Sequence, residues 1–253
     1  MADPFAPPAS AQPSPPDVPR LPIADTPAEA LDVARAVGRD LVAHPGGYLA
    51  NGLAYLALTT VEVVLALLPL GLGVAPAVLG ADEGWILLGF LIGTPLYVLG
   101  IAVLVVLVVP LQMAGTMRAL AAQAQGSGRV GAGSLVFGTR EGAGRVLGFY
   151  ASMQAAVFVG SLLLYLPGLL ALLLGQIGFP LVVLERGTSV GGAYRLAWGH
   201  LRDHLGWHIV VWLSALAVLV VLELTLVGVV VAFPVMCAWQ VHAYRLSGLA
   251  QRR

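Results

Sequence analysis

The sequence holds no lysine, a single cysteine and little charge of either sign. Only 10% of its 253 residues are Asp, Glu, Lys or Arg, against about 25% in an ordinary soluble domain. That shortage excludes a soluble globular fold, which would have too little polar surface to face water. The thirteen basic side chains are all arginine and are balanced by thirteen acidic ones. A net charge of zero excludes the basic surface that nucleic-acid binding needs. The one cysteine, Cys237, cannot make an internal disulfide and lies in an apolar stretch, where it reads as a small buried hydrophobe. What the chain has in abundance is apolar residues, 58% of the total. This excludes disorder for most of its length and leaves a polytopic helical membrane protein.

Residues 1–27 hold nine of the seventeen prolines and no apolar core. A secretory signal needs such a core, so residues 1–25 are expected to be a disordered or polyproline II cytoplasmic tail. The membrane domain is expected over 26–250.

A span needs about 20 residues, because a helix rises about 1.5 Å per residue through about 30 Å of hydrocarbon. Four apolar blocks are present, at 48–72, 85–109, 146–184 and 207–244. The first two read as a hairpin, with Gly71-Leu72-Gly73-Val74-Ala75-Pro76, Asp82 and Glu83 in the connection. The last two are each too long for one crossing. Pro167-Gly168 splits one into 146–166 and 168–184. Gly228 splits the other into 207–226 and 228–244, with Pro234 expected to kink the last span. Six spans place all thirteen arginines on one side, which the positive-inside rule makes the cytoplasm, with both termini there. The fold class expected is all-α, a bundle of six spans in three hairpins with interleaved cytoplasmic amphipathic helices, in a bacterial plasma membrane.

Each hairpin is preceded by a segment with interfacial character. Thr26-Pro27-Ala28-Glu29 has the residues of a capped helix start, and Leu31, Ala34, Val37 and Leu41 follow at helical spacing. Thr188-Ser189 opens an equivalent segment in which Leu196, Trp198, Leu201 and Leu205 mix with Arg195, Arg202 and Asp203. Aligning Arg39-Asp40 with Arg202-Asp203 suggests a repeat of interfacial helix plus hairpin. The middle segment, with the glycines of 126–133, reads as a flexible stretch. It lacks the strand and lysine that a phosphate loop requires.

Few residues carry chemistry. His200, His204 and His208 fall on one face if their helix is continuous. They could ligate a metal or haem, or simply pack at the headgroup boundary beside Trp207. Glu62 lies near the middle of the first span, where a charge costs about 2.5–3.5 kcal/mol on insertion scales. Glu223 lies near the outer end of the fifth. An ion or proton pathway is one reading of the two glutamates. A protonated or hydrogen-bonded packing contact with Thr59, Thr60, Gln154 or Gln176 is the other. Neither a Ser/His/Asp nor a Cys/His nucleophile arrangement is expected, and no paired carboxylates share an evident pocket. The expectation is therefore a protein that is not an enzyme, with no cofactor and no metal.

Pro110-Leu111 with Gly115, Leu135-Val136-Phe137-Gly138, and Phe179-Pro180 through Glu185-Arg186 carry a resemblance. So do Ala193 to Trp198-Gly199-His200, and Val227-Gly228 through Phe233-Pro234 to Ala243-Tyr244-Arg245. Over about 26–250 the chain resembles uncharacterised bacterial and archaeal six-helix membrane proteins. These are related to the membrane domain fused to some glycerophosphoryl diester phosphodiesterases. The resemblance implies six helices with interleaved amphipathic segments and supplies no catalytic residues. The phosphodiesterase domain is not part of the likeness. The function expected is that of a non-catalytic accessory, scaffolding or lipid-organising membrane protein, with a small transporter or channel using Glu62 as the alternative. Its partners are expected to be the lipid bilayer and either another membrane protein or further copies of the chain.

Overall fold

The computed structural model describes residues 29–80, 82–137, 142–163, 165–185 and 187–249. The tail expected over 1–25, the Thr26 cap, Arg140, Arg186 and the two terminal arginines lie outside the described residues. The described residues are helical, with no strand.

The elements are α1 (Ala30–Ala43), α2 (Pro45–Leu67), α3 (Gly71–Val78), α4 (Glu83–Val103) and α5 (Val109–Ala124). A short α6 (Ser134–Phe137) follows, then α7 (Ala143–Leu162), α8 (Leu166–Leu184), α9 (Val190–Asp203), α10 (Leu205–Glu223) and α11 (Leu226–Leu246). By length and composition, five helical runs can cross a membrane: 45–78, 83–124, 166–184, 205–223 and 226–246. The expected third span is α7, which has 20 residues but is not among the five; Arg145, Ser152 and Gln154 hold down its hydropathy.

Four expected boundaries move. The connection placed at 71–76 is helical: a tight turn over Leu68–Leu70 and then α3 carry the first run on to Val78. The true turn lies at Leu79-Gly80, where Gly80 has φ +73, and Asp82 caps α4 by accepting from the Trp85 N–H. Pro69 and Pro76 sit within this helical run without ending it, Pro69 in the tight turn that carries the run on. The second run does not stop near 109. A π-turn at Leu104–Val108 leads into α5, giving 42 residues, roughly 63 Å at 1.5 Å per residue. The extra length is the more polar α5, which stands beyond one membrane thickness.

The break in the fourth block falls at Leu224-Thr225, not at Gly228. Thr225 is the N-cap, its Oγ1 accepting from the Gly228 N–H at 2.9 Å. Gly228 serves by its size, since a Cβ there would lie 1.9 Å from the Leu222 carbonyl oxygen. Pro167 and Gly168 likewise sit in the first turn of α8, where proline's missing N–H costs nothing, and the turn precedes them. α11 runs through Pro234 as one helix.

The core forms around α8 and α11, whose apolar windows are 67% and 50% buried. Phe149, Ile177, Leu181, Val182, Cys237 and Ala238 fill it. α2 lies against α11 so closely that a Cβ on Gly52 would fall 1.9 Å from the Val230 carbonyl oxygen. Tyr55 stacks on Phe233 there, ring centroids 3.7 Å apart. The α3–α4 hairpin is the opposite case. Leu68, Leu79, Leu87 and Leu91 are all more than 60% exposed, a surface suited to lipid rather than water.

Candidate functional site

Two amphipathic helices are present where the sequence placed them, and each ends in the same kind of corner. α1 ends at His44 (φ −134, ψ 48) and α2 begins at once. α9 ends at His204 (φ −134, ψ 38) and α10 begins at once. The backbone bonds continue through both bends: His44 N–H to the Asp40 carbonyl, and His204 N–H to the His200 carbonyl. The corners therefore superpose His44 on His204. Aligning Arg39-Asp40 with Arg202-Asp203 is corrected: it matched residue identity, whereas the bend follows the buried positions. Val33 and Ala193 then correspond and are both fully buried, as do Val37 and Ala197.

In this register Asp40 falls on His200 and Tyr48 on His208. Each pair is eight residues apart and closes its corner with one hydrogen bond. Tyr48 Oη donates to Asp40 Oδ2 at 2.8 Å. His200 Nδ1 and His208 Nε2 are 2.8 Å apart. A bend between two helices brings such residues together; a straight helix would hold them about 12 Å apart along its axis.

The one-face reading of His200, His204 and His208 is thereby corrected, because the helix is not continuous. His204 is the bend. His200 and His208 are 8% and 0% exposed, so they are core groups rather than headgroup dressing. They form a chain: Ser247 carbonyl, 3.0 Å, His200 Nε2; His200 Nδ1, 2.8 Å, His208 Nε2; His208 Nδ1, 3.3 Å, Gln176 Oε1. With both rings neutral, the carbonyl requires a proton on His200 Nε2, so His200 Nδ1 accepts from His208 Nε2–H. His208 Nδ1 is then an acceptor, and the chain closes when the Gln176 amide presents its N–H to it. The chain ties α8, α9, α10 and the end of α11 together. Among the described residues, no group of three or more His, Cys, Asp or Glu is placed to hold a metal ion.

The first corner has a carboxylate at its centre, which the sequence reading used only to align the two amphipathic segments. Asp40 is 11% exposed. It accepts from Tyr48 and from Gln123 Nε2 at 2.9 Å. His44 Nδ1 stands 3.3 Å away, outside hydrogen-bond geometry, and His242 Nε2 stands 3.7 Å away. Gln123 in turn accepts the Val130 N–H at 3.0 Å. Asn51, fully buried, donates to the Gly131 carbonyl at 3.1 Å and to Ser134 Oγ at 3.0 Å. The end of the glycine-rich stretch, at Val130 and Gly131, is thus tied to α5 and α2. The sequence signal was the run of polar residues on α5: Gln112, Thr116 and Gln123 are all buried.

Glu62 is part-buried and accepts from Gln112 Nε2 at 2.9 Å. None of the four partners expected for it is the one found. Thr60 bonds the Leu56 carbonyl, Gln154 bonds Tyr150, Gln176 meets His208, and Thr59 Oγ1 has no partner. Glu62 Oε2 and Gln112 Oε1 are buried without partners. Glu223 ends α10 in the open.

Gly187-Thr188-Ser189-Val190-Gly191 has the Gly-x-Ser-x-Gly spacing of a nucleophile elbow. That motif works at a strand-to-helix turn, and here a helix precedes it. Ser189 is the N-cap of α9, its Oγ accepting from the Gly192 N–H at 3.1 Å. Arg145 donates to the Glu185 and Thr188 carbonyls and Arg118 to the Val183 carbonyl, so two cations meet the negative end of α8. On the exposed side of α9, the Arg202 guanidinium bonded at 3.0 Å holds the Asp203 carboxyl below its usual range.

No family model, no curated protein and no solved structure matches the chain.

Proposed function

We propose that the chain is a non-catalytic, multi-pass protein of the bacterial plasma membrane that acts as an accessory, scaffolding or lipid-organising component. In this reading α7 joins the five long apolar runs as a sixth span, paired with α8. Both termini are then cytoplasmic, and α1 and α9 lie on the inner leaflet with Arg35, Arg39, Arg195 and Arg202 among the headgroups. The observation that carries it is the pair of locked corners. Two amphipathic helices are fixed to the apolar helices that follow them, by Asp40–Tyr48 and by His200–His208. A helix held this way is a rigid shelf at the interface, suited to gathering lipid or a partner. The test is extraction of the tagged protein in mild detergent, with mass spectrometry of retained proteins and lipids. A stoichiometric protein or enriched lipid class is expected, and recovery of neither, reproducibly, would sink the reading.

A small transporter or channel is the second reading, favoured by the unpartnered oxygens of Glu62 and Gln112 inside the first hairpin. Under it, Glu62→Gln abolishes flux in proteoliposomes. Under the first reading, the same variant keeps its retained partners.

A further inference from the structure

A cavity of about 160 Å³ lies between α5, α7, α8, α10 and α11. Three of the chain's five methionines, Met113, Met153 and Met236, line it, and none of its lining residues is charged. Two polar groups of the wall are already engaged: Tyr150 Oη accepts from Gln154 Nε2 at 2.9 Å, and the Gln176 amide meets His208 at 3.3 Å. Water held in a void needs about two to four polar partners, whereas an apolar void of about 150 Å³ stays dry and takes up benzene. This cavity therefore suits a hydrocarbon body of about six carbons.

Leu172 is the one exposed residue of the lining, at 39%, and Trp212 is half-buried, so the cavity opens sideways between α8 and α10. Trp212 stands seven residues into α10 from Leu205, about 10 Å at 1.5 Å per residue. Leu172 stands twelve residues from the Leu184 end of α8, about 18 Å on the same scale. With both of those ends cytoplasmic, the lip faces the hydrocarbon of the inner leaflet, which is about 15 Å deep, and not the headgroups. A lipid tail gains little by exchanging lipid for an equally apolar wall. It gains by filling, because atoms that line a void have no dispersion partners on one side. Unbranched methionine side chains adapt to such a flexible guest.

We propose that this cavity takes the hydrocarbon tail of an inner-leaflet lipid, which enters between Leu172 and Trp212 and ends among the methionines. The proposal deepens the lipid-organising reading and rests on the six-span arrangement in a bilayer. Gln176 belongs both to the cavity wall and to the hydrogen-bond chain through His208 and His200. The held tail therefore lies against the group that fixes α9 to the bundle.

The test is carbene photolabelling of the full chain in phosphatidylcholine vesicles. The probe is a phosphatidylcholine with a diazirine at its tail end, and mass spectrometry reads the label residue by residue. Leu87 and Leu91, 71% and 69% exposed on the α3–α4 hairpin, are the internal control. Met153 and Trp239, 9% and 3% exposed, line the cavity and are too buried to be labelled from the outer surface. Both are expected to carry label, at no less than about a fifth of the control level. Label on the two leucines without label on Met153 and Trp239 overturns the proposal. Ala215 also lines the cavity and is 4% exposed. Ala215→Phe fills the space and should cut the label on Met153 and Trp239 at least fivefold, with Leu87 and Leu91 unchanged. Undiminished label in that variant overturns the assignment to the cavity. Should the variant not fold, the wild-type pattern decides by itself. A small free aryl diazirine tests the other source of hydrocarbon. Label on Met153 and Trp239 from that probe but not from the lipid assigns the cavity to a free molecule and overturns the lipid tail. Failure of the membrane reading would show separately, as Leu87 and Leu91 left unlabelled by the lipid probe, and the proposal would fall with it.

Discussion

The two corners share a backbone and differ in chemistry. At His44 the closing acceptor is a carboxylate, at His204 an imidazole. Asp40 has two hydrogen-bond donors on it and two imidazoles within 3.7 Å, so α1, α2, α5 and α11 converge on one charge. The second corner spreads its bonding along a line, from the Ser247 carbonyl through two rings to Gln176. A hub concentrates cost in one residue, whereas a chain shares it. The same bend can therefore be fixed in two ways, provided residues eight apart can bond across it.

The comparison breaks hardest at the hub. Asp40→Ala should remove about 3 kcal/mol of stability, because it strands the Tyr48 hydroxyl and the Gln123 amide together. Thermal unfolding in detergent would show this, and a loss no larger than that of Tyr48→Phe would mean Asp40 is not a hub. Next is His200→Ala in the chain, expected to cost about 2 kcal/mol, since the Ser247 carbonyl and His208 each lose a partner in the interior. Tyr48→Phe and His208→Phe are the matched pair, each removing a corner bond with the ring kept. Both should cost about 1 kcal/mol. Equal losses support equivalent corners, and a neutral Tyr48→Phe would mean Gln123 alone suffices to hold Asp40. Smallest is Arg202→Gln, on the exposed face of α9. It should raise the Asp203 carboxyl towards its ordinary range, visible by NMR titration, and leave the unfolding midpoint unchanged within error. As Asp203 is held low in the folded chain, whatever small stability the pair gives is present above the ordinary carboxylate range and fades as pH falls through it.

Much of the fold was legible because hydropathy and helical period act locally. The apolar blocks and the amphipathic character of 30–43 and 190–203 follow from neighbours in sequence. The breaks were less legible. Pro167, Gly168, Pro76 and Gly228 are helix punctuators in water. In these apolar runs they lie inside helices or in their first turns, and the turns fall two to four residues away. The candidate site was mostly not legible. Asp40 entered the sequence reading only through an alignment, and the donor it meets, Gln123, lies 83 residues later. The histidines at spacing four suggested one face, which the bend at His204 removed. Glu62 was singled out for its place in an apolar run, but its partner Gln112 comes from another helix.

The sequence by itself determined that this is a helical, strongly apolar chain with two amphipathic helices, because burial of apolar side chains at helical spacing needs only local order. Only the tertiary structure decided which polar groups meet, since a hydrogen bond between α1 and α5, or between α2 and α5, depends on packing angles that no local pattern encodes.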